Sequence, residues 1–539
     1  MKKILGHKID NVDDENLLIY TILFLALILG AAVRFNFING TEFPMNDGGF
    51  FYQMTEDLVK NKFKIPKFTE YNQGNIPYAY PPLTFYIVGL LHKISNVKLF
   101  ILFHFMPAVI STVTIIVFFL FSKLWFDNRF YQSLSTLFFA LTPRSFEWFV
   151  MGGGVTRSFG FLFSIIAIKY ILIIFLNQKQ RGNIFLAAIF SGLTLLSHPV
   201  TSLFLIFNVF MGLIYFQDRK QNFYYCSKFG ILTVLIISPW ALTILTKHGL
   251  SPFLSALSTG HVHWFEIKNL ITLNFGFENP YYLSIIGVLA LIGAFNFGHK
   301  HSVFLISAII LGYCFIPRGG VDLLTIYLAI LATLGLKAIL GFWVSDRKEV
   351  STANRLMTSK RARAFFLFLI VYLFLGSYTY KYVNGKINLQ LEKEDIQAMN
   401  WICEHTDKEA NILLYPSSEV SRFWWDDFLA EWLPAITDRV SVTTVQGYEW
   451  IPSEFIKRVN RYSELRFCEQ QGSECVESWA NKYKIDFDYL MLGDKNVMNV
   501  KADDFVDNTN YEIKFENEKI IIFKYALDGY GYKYPSNIE

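Results

Sequence analysis

An aspartate shortly after an apolar run and just ahead of two glycines is a candidate for chemistry at a membrane surface. The stretch reads Phe43-Pro44-Met45-Asn46-Asp47-Gly48-Gly49-Phe50-Phe51-Tyr52. A carboxylate at Asp47 can take a proton from an acceptor hydroxyl, and the glycines let another group approach the backbone closely. Asn46 beside it is a candidate substrate contact. The competing reading is structural: an amphipathic helix runs on to about Asn61, and Asn46 or Asp47 would simply cap it.

Charged residues recur where apolar runs begin and end. Arg144 and Glu147 lie in Thr142-Pro143-Arg144-Ser145-Phe146-Glu147. Arg157 follows Met151-Gly152-Gly153-Gly154-Val155-Thr156. A glycine-rich turn feeding a helix N-terminus offers backbone N–H groups to an anion, and Arg157 adds a bidentate contact. His198-Pro199 breaks a hairpin between two short apolar segments, and Arg318 stands in Pro317-Arg318-Gly319-Gly320-Val321-Asp322. Singly, each is a structural salt bridge or an interface anchor. Together they map to one membrane face and to a shared anionic site.

Tyr78-Ala79-Tyr80-Pro81-Pro82-Leu83-Thr84-Phe85-Tyr86 opens an apolar stretch too short to span. It reads as an interfacial helix started by the Pro-Pro pair, with tyrosines at headgroup depth. Tyr80 is a further candidate substrate contact. His261-Val262-His263-Trp264 can bind a metal, but no clear third and fourth ligands accompany it. Acceptor contacts or surface packing are the other readings of His261 and His263. The sequence points to no certain cofactor and leaves a divalent metal open.

The elements that position these residues are mostly apolar. Of 539 residues 53% are hydrophobic and only 17% charged, below the quarter usual for a soluble chain. The apolar residues fall in runs that only a bilayer accepts as helices. Spans are expected at 17–37, 98–122, 130–142, 156–176, 184–197, 200–216, 228–245, 283–298, 303–316, 322–343 and 365–380. The first is too long for a cleaved signal peptide. Basic residues mark the cytoplasmic side: Lys2, Lys3 and Lys8, Lys123 and Arg129, Lys179 and Arg181, Arg219, Lys220, Lys228 and Lys300. The densest cluster is Arg347, Lys348, Arg355, Lys360, Arg361 and Arg363.

The fold class is therefore a polytopic α-helical membrane protein of about eleven helices with a C-terminal extracytoplasmic α/β domain. Its domains are 1–380, with long outer loops at 38–97 and 246–282, and 381–539. In the tail, Glu394 to His405 reads as helix, Asn411 to Tyr415 and Asp488 to Leu492 as strands, and Tyr511 to Tyr525 as a hairpin. Cys468 and Cys475 form a disulfide on one reading and stay free on the other. A net charge of +4 and the lack of basic patches interleaved with aromatics imply no nucleic-acid partner.

The order of one span, an acidic residue soon after it, a surface helix, a Pro-Pro-Leu helix start and a second span resembles the GT-C glycosyltransferases. Over about residues 15–220 the chain looks most like the branch holding protein O-mannosyltransferases and the aminoarabinose transferase of lipid A. The resemblance implies a polyprenyl-phosphate sugar donor, a lipid, glycan or protein acceptor, and Asp47 as catalytic carboxylate. Arg157, Arg318, Arg144 and His198 would then meet the donor phosphate. Two positions depart from that pattern: Gly48 stands where many members have a second acid, and Tyr80 where some have a lysine. Phe423-Trp424-Trp425-Asp426-Asp427 resembles the Trp-Trp-Asp motif of oligosaccharyltransferases, but Asp427-Phe428 stand where that motif continues with Tyr-Gly. A transporter or an envelope-assembly protein is the alternative, and a polysaccharide polymerase or ligase a third.

Overall fold

Away from water, a long apolar run has one stable form, a helix that satisfies its own backbone N–H and C=O groups. The computed structural model describes residues 2–176, 181–259, 273, 275–278, 283–295, 302–316, 320–343, 359–383, 389–415, 424–493 and 502–526. In chain order its helices are α1 (Lys2–Ile38), α2 (Gly49–Lys60), α3 (Leu83–Ser95), α4 (Leu99–Ser122), α5 (Arg129–Ala140) and α6 (Glu147–Val150). Next come α7 (Gly154–Phe175), α8 (Arg181–Leu195), α9 (Pro199–Tyr215), α10 (Arg219–His248) and α11 (Ser251–Ser258). They continue with α12 (Ile285–Phe295), α13 (Ser302–Phe315), α14 (Thr325–Trp343), α15 (Lys360–Val383) and α16 (Lys393–His405). The last are α17 (Phe428–Thr437), α18 (Glu454–Arg466), α19 (Ser473–Tyr483) and α20 (Ala502–Val506).

Among the described residues six helices are long and apolar enough to cross a membrane. They are α1 over Glu15–Ile38, α4, α7, α10, Gly320–Gly341, which contains most of α14, and α15. The expected eleven also needs α5, α8, α9, α12 and α13, which have 11 to 17 residues each. Leu17, Tyr20, Phe24 and Ile28 form an exposed stripe on α1, and Leu367, Phe368, Val371 and Leu375 form one on α15. A water-facing surface rarely carries contiguous apolar area of this kind, so these stripes are lipid-facing and the protein is a membrane protein.

The chain divides into two compact units. One comprises Met1–Thr41, Tyr80–Gly249 and Gly260–Ile387, and the other Glu42–Ala79, Leu250–Thr259 and Asn388–Glu539. This differs from a boundary at 380/381 with both outer loops in the membrane part. Residues 42–79 and 250–259 pack with the C-terminal region instead, because it buries their apolar faces. Phe50, Met54 and Leu58 of α2 are buried, the Tyr52 and Trp432 rings lie 5.8 Å apart, and Phe253 of α11 meets Trp450.

In the first unit, one charge within an apolar helix is fully accommodated. Arg34 of α1 is completely buried and donates to Ser111 Oγ (2.9 Å), the Gly30 and Ala140 carbonyls (2.9 and 2.8 Å) and Ser145 Oγ (3.2 Å). It therefore ties α1 to α4 and to the end of α5. An intramembrane arginine persists only with such partners.

The second unit is built on a mixed five-stranded sheet of order β2-β1-β3-β5-β4, with β1 Asn411–Tyr415, β2 Val440–Ser441, β3 Tyr489–Leu492, β4 Tyr511–Glu516 and β5 Ile521–Tyr525. β1 is parallel to β2 and β3, whereas β5 is antiparallel to β3 and β4. The apolar runs of β1 and β3 are buried, as expected of strands covered on both faces. Edge strand β4 carries Glu512, Lys514 and Glu516, which discourage further pairing. Leu413, Tyr415, Leu490, Leu492, Trp479 and Phe523 form the core. A disulfide joins Cys468 and Cys475 beside it.

Candidate active site

Asp47 lies where the chain turns into α2. Asn46 has φ 53° and Gly48 φ 133°, the second a backbone value that side-chain-bearing residues rarely adopt. Gly48 is the N-cap of α2 and has no side chain with which to cap that helix. The N-cap position thus falls one residue beyond Asp47.

The turn is held by one helix of the C-terminal region. Asp427 caps α17, accepting from the Ala430 N–H at 3.0 Å and from the Tyr462 hydroxyl at 2.7 Å. One turn further on, Glu431 Oε1 accepts from the Gly48 N–H at 2.8 Å and the Phe50 N–H at 3.4 Å. Trp432 Nε1 donates to the Asn46 carbonyl at 2.8 Å, and the Tyr71 hydroxyl donates to the Glu431 carbonyl at 2.7 Å. A Cβ on Gly49 would lie 2.5 Å from that same carbonyl oxygen. What approaches the glycines is thus α17 itself. Burial first, and the neighbouring Asp47 charge second, push the Glu431 carboxyl up to about 8, although the two N–H donors pull the other way. Asp47 and Glu431 are an interacting carboxyl pair.

Asp427, the last residue of the Trp424-Trp425-Asp426-Asp427 run, is this capping group. Phe423 lies outside the described residues, as do His261, His263 and Arg318. Among the described residues, no group of three or more His, Cys, Asp or Glu side chains is placed to hold a metal ion.

In the membrane unit, Tyr80, Arg157 and His198 come together. The Leu83 N–H donates to the Leu196 carbonyl at 2.9 Å, bringing the start of α3 to the end of α8. The Tyr80 and Thr156 hydroxyls are 3.3 Å apart, and the Tyr80 and His198 rings 6.4 Å. Gly160 lets α7 close on α9, since a Cβ there would lie 2.9 Å from His198 Cβ. Arg157 Nη1 donates to the Trp148 carbonyl at 2.8 Å, with its guanidinium 5.3 Å from the Trp148 ring centroid. His198 Nδ1 accepts from the Thr201 N–H at 3.4 Å, capping α9. Burial, and then Arg157, hold His198 well below its ordinary value. At neutral pH it offers a hydrogen bond rather than a positive charge.

Arg144 and Glu147 form a separate network. Arg144 pairs with buried Asp322 at 3.2 Å, and Glu147 Oε2 accepts from the Tyr380 hydroxyl at 2.7 Å. The Arg144 charge is matched inside the protein, as the salt-bridge reading had it. Sequence reasoning missed Glu431 as the neighbour of Asp47 and Arg34 as an internal tie. The signal for Arg34 was in plain view, a lone arginine inside an apolar run.

Both units in one chain give the fold of the GT-C glycosyltransferases, which are its structural neighbours. AglB, an oligosaccharyltransferase from Archaeoglobus fulgidus in complex with an inhibitory peptide and a dolichol-phosphate, matches with TM-score 0.59 at 13% identity, over 88% of this chain and 69% of AglB. ArnT from Cupriavidus metallidurans, bound to undecaprenyl phosphate, matches with TM-score 0.50 at 9% identity, over 94% and 97% of the two chains. The arabinofuranosyltransferase AftD from Mycobacteria matches with TM-score 0.56 at 12% identity, over 95% of this chain and 40% of AftD. No protein-family model and no curated protein sequence matches the chain.

Proposed function

We propose that the protein is an integral-membrane glycosyltransferase moving a sugar from a polyprenyl-phosphate donor to an acceptor outside the cytoplasm. The observation that carries this reading is the fold shared over 94% of the chain with ArnT, whose structure holds undecaprenyl phosphate. AglB holds a second polyprenyl phosphate, dolichol-phosphate, on the same fold.

In this reading the Asp47 carboxylate takes the proton of an acceptor hydroxyl as its oxygen attacks the anomeric carbon. The bond from that carbon to the phosphate oxygen breaks, and its electron pair leaves with the polyprenyl phosphate. A single in-line displacement inverts the anomeric configuration. Arg157, and Arg318 by its place in the sequence, supply positive charge where the departing phosphate gains negative charge. Tyr80 and His198 flank Arg157 as hydrogen-bonding groups, and Asn46, Glu147, His261 and His263 are assigned to substrate contact. The acceptor is a lipid, a glycan or a protein.

Eleven spans with a cytoplasmic N-terminus put the C-terminal domain outside. The Cys468–Cys475 disulfide supports that side, because such bonds persist in oxidising compartments. Sugar transfer from a polyprenyl-phosphate donor, lost in Asp47→Asn, tests the proposal.

A further inference from the structure

Glu431 and Trp432 are consecutive residues of α17, yet between them they hold the backbone on both sides of Asp47. Trp432 takes the Asn46 carbonyl, while Glu431 takes the N–H groups of Gly48 and Phe50. The Gly48 N–H belongs to the peptide bond that Asp47 itself begins, so holding it fixes the backbone from which the Asp47 side chain leaves. Glu431 is 3% exposed and its helix is pinned by the Asp427 cap and the Tyr71 hydroxyl. The charged and titratable groups facing it are Asp47, Tyr71 and Glu449 of the short turn Tyr448–Trp450. Tyr448 lies against Arg458 of α18, whose guanidinium is 3.5 Å from the ring centroid.

We propose that Glu431 is the positioning residue of Asp47, fixing the orientation of that carboxylate through the Gly48 and Phe50 N–H groups. The proposal rests on the reading of Asp47 as the base. A glutamate suits the place because one of its carboxyl oxygens accepts from both N–H groups. With Glu431 protonated, no second negative charge repels the segment around Asp47. Ionisation of Glu431 is opposed by burial and by the Asp47 charge, and favoured by the two N–H groups it accepts from.

The test uses full-length protein in nanodiscs with Glu431→Gln, Glu431→Ala and Asp47→Asn, each checked for folding by its melting temperature. Transfer from a radiolabelled polyprenyl-phosphate sugar is measured against pH, and amide hydrogen exchange of residues 46–52 is followed without substrate. Glu431→Ala should lower kcat by roughly 10²-fold, the cost of a misplaced catalytic group, leave the donor KM unchanged, and speed exchange at Gly48 and Phe50. Glu431→Gln keeps Oε1 as acceptor, so it should recover most of kcat at pH 7 and restore slow exchange at Gly48 and Phe50. Unchanged exchange and kcat in Glu431→Ala would overturn the proposal, as would a kcat in Glu431→Gln as low as that of Glu431→Ala. Full transfer by Asp47→Asn would remove the base, and with it the catalytic meaning of the clamp. Faster exchange in Glu431→Ala would then mark a structural contact alone.

Discussion

Replacing Gly49 by alanine should disturb Asp47 without touching its side chain. The added Cβ would lie 2.5 Å from the Glu431 carbonyl oxygen, 2.9 Å from its carbon and 3.1 Å from Trp432 Cα. The first distance is about 1 Å inside ordinary non-bonded contact. The obstacle is backbone rather than a flexible side-chain tip. That backbone is held by the Asp427 cap, the Tyr71 hydroxyl and the Trp432 indole, so it cannot yield cheaply. Overpacking of this kind costs about 1–3 kcal/mol, which for a unit of this size lowers Tm by roughly 2–12 °C. A shift approaching 1 Å around Asp47 would also lower transfer by about 10²-fold. The matched control is Gly182→Ala in α8, where nothing lies within 4 Å of the new Cβ and helix propensity offers up to about 1 kcal/mol of gain. Thermal unfolding and transfer would be measured on both proteins in the same nanodiscs. If Gly49→Ala were as stable and active as Gly182→Ala, the close packing of α17 on the Asp47 turn would be refuted.

Two further outcomes follow from the same unit. The Glu431 carboxyl is raised from 4.5 to about 8, so the folded state holds a proton that the unfolded state releases. Its contribution to stability is complete below pH 4.5 and is lost as pH rises to about 8, a loss on the order of a few kcal/mol; melting curves of wild type should show it, and those of Glu431→Gln should be flatter across that window. Replacing Cys468 and Cys475 by serine opens a short loop, the partners being seven positions apart. This should cost about 2–3 kcal/mol, read as a lower Tm, and free thiols of the wild type titrated in denaturant should exclude this pair.

Much of the membrane unit was legible because run length alone decides it: an apolar stretch such as Leu99–Ser122 has no other stable form in lipid. The tail was also legible where local pattern decides. Asn411–Tyr415 carries the run of apolar residues of a buried strand, and Glu392 and Asp395 close a capping box at the start of α16. Asp47 could be marked as a candidate because its neighbours in sequence single it out. Glu431 could not, because it reaches Gly48 across 383 positions from a helix that reads as an ordinary amphipathic one. The pairing of Arg144 with Asp322 is of the same kind, 178 positions apart. Chain proximity also misled: residues 42–79 follow a span directly, yet their apolar face is buried by α17 and its neighbours rather than in the membrane unit. Long-range packing leaves no local periodicity to read.

The most direct measurement of the central claim is sugar transfer by purified protein in nanodiscs, with radiolabelled polyprenyl-phosphate sugars as donors and membrane extract as acceptor. Folded Asp47→Asn would be assayed beside wild type. The account predicts label transfer by the wild type, with inversion at the anomeric carbon, and its loss in Asp47→Asn. Equal transfer by both proteins would remove Asp47 from the mechanism. Absence of transfer with every donor, alongside substrate uptake in proteoliposomes, would contradict the transferase itself.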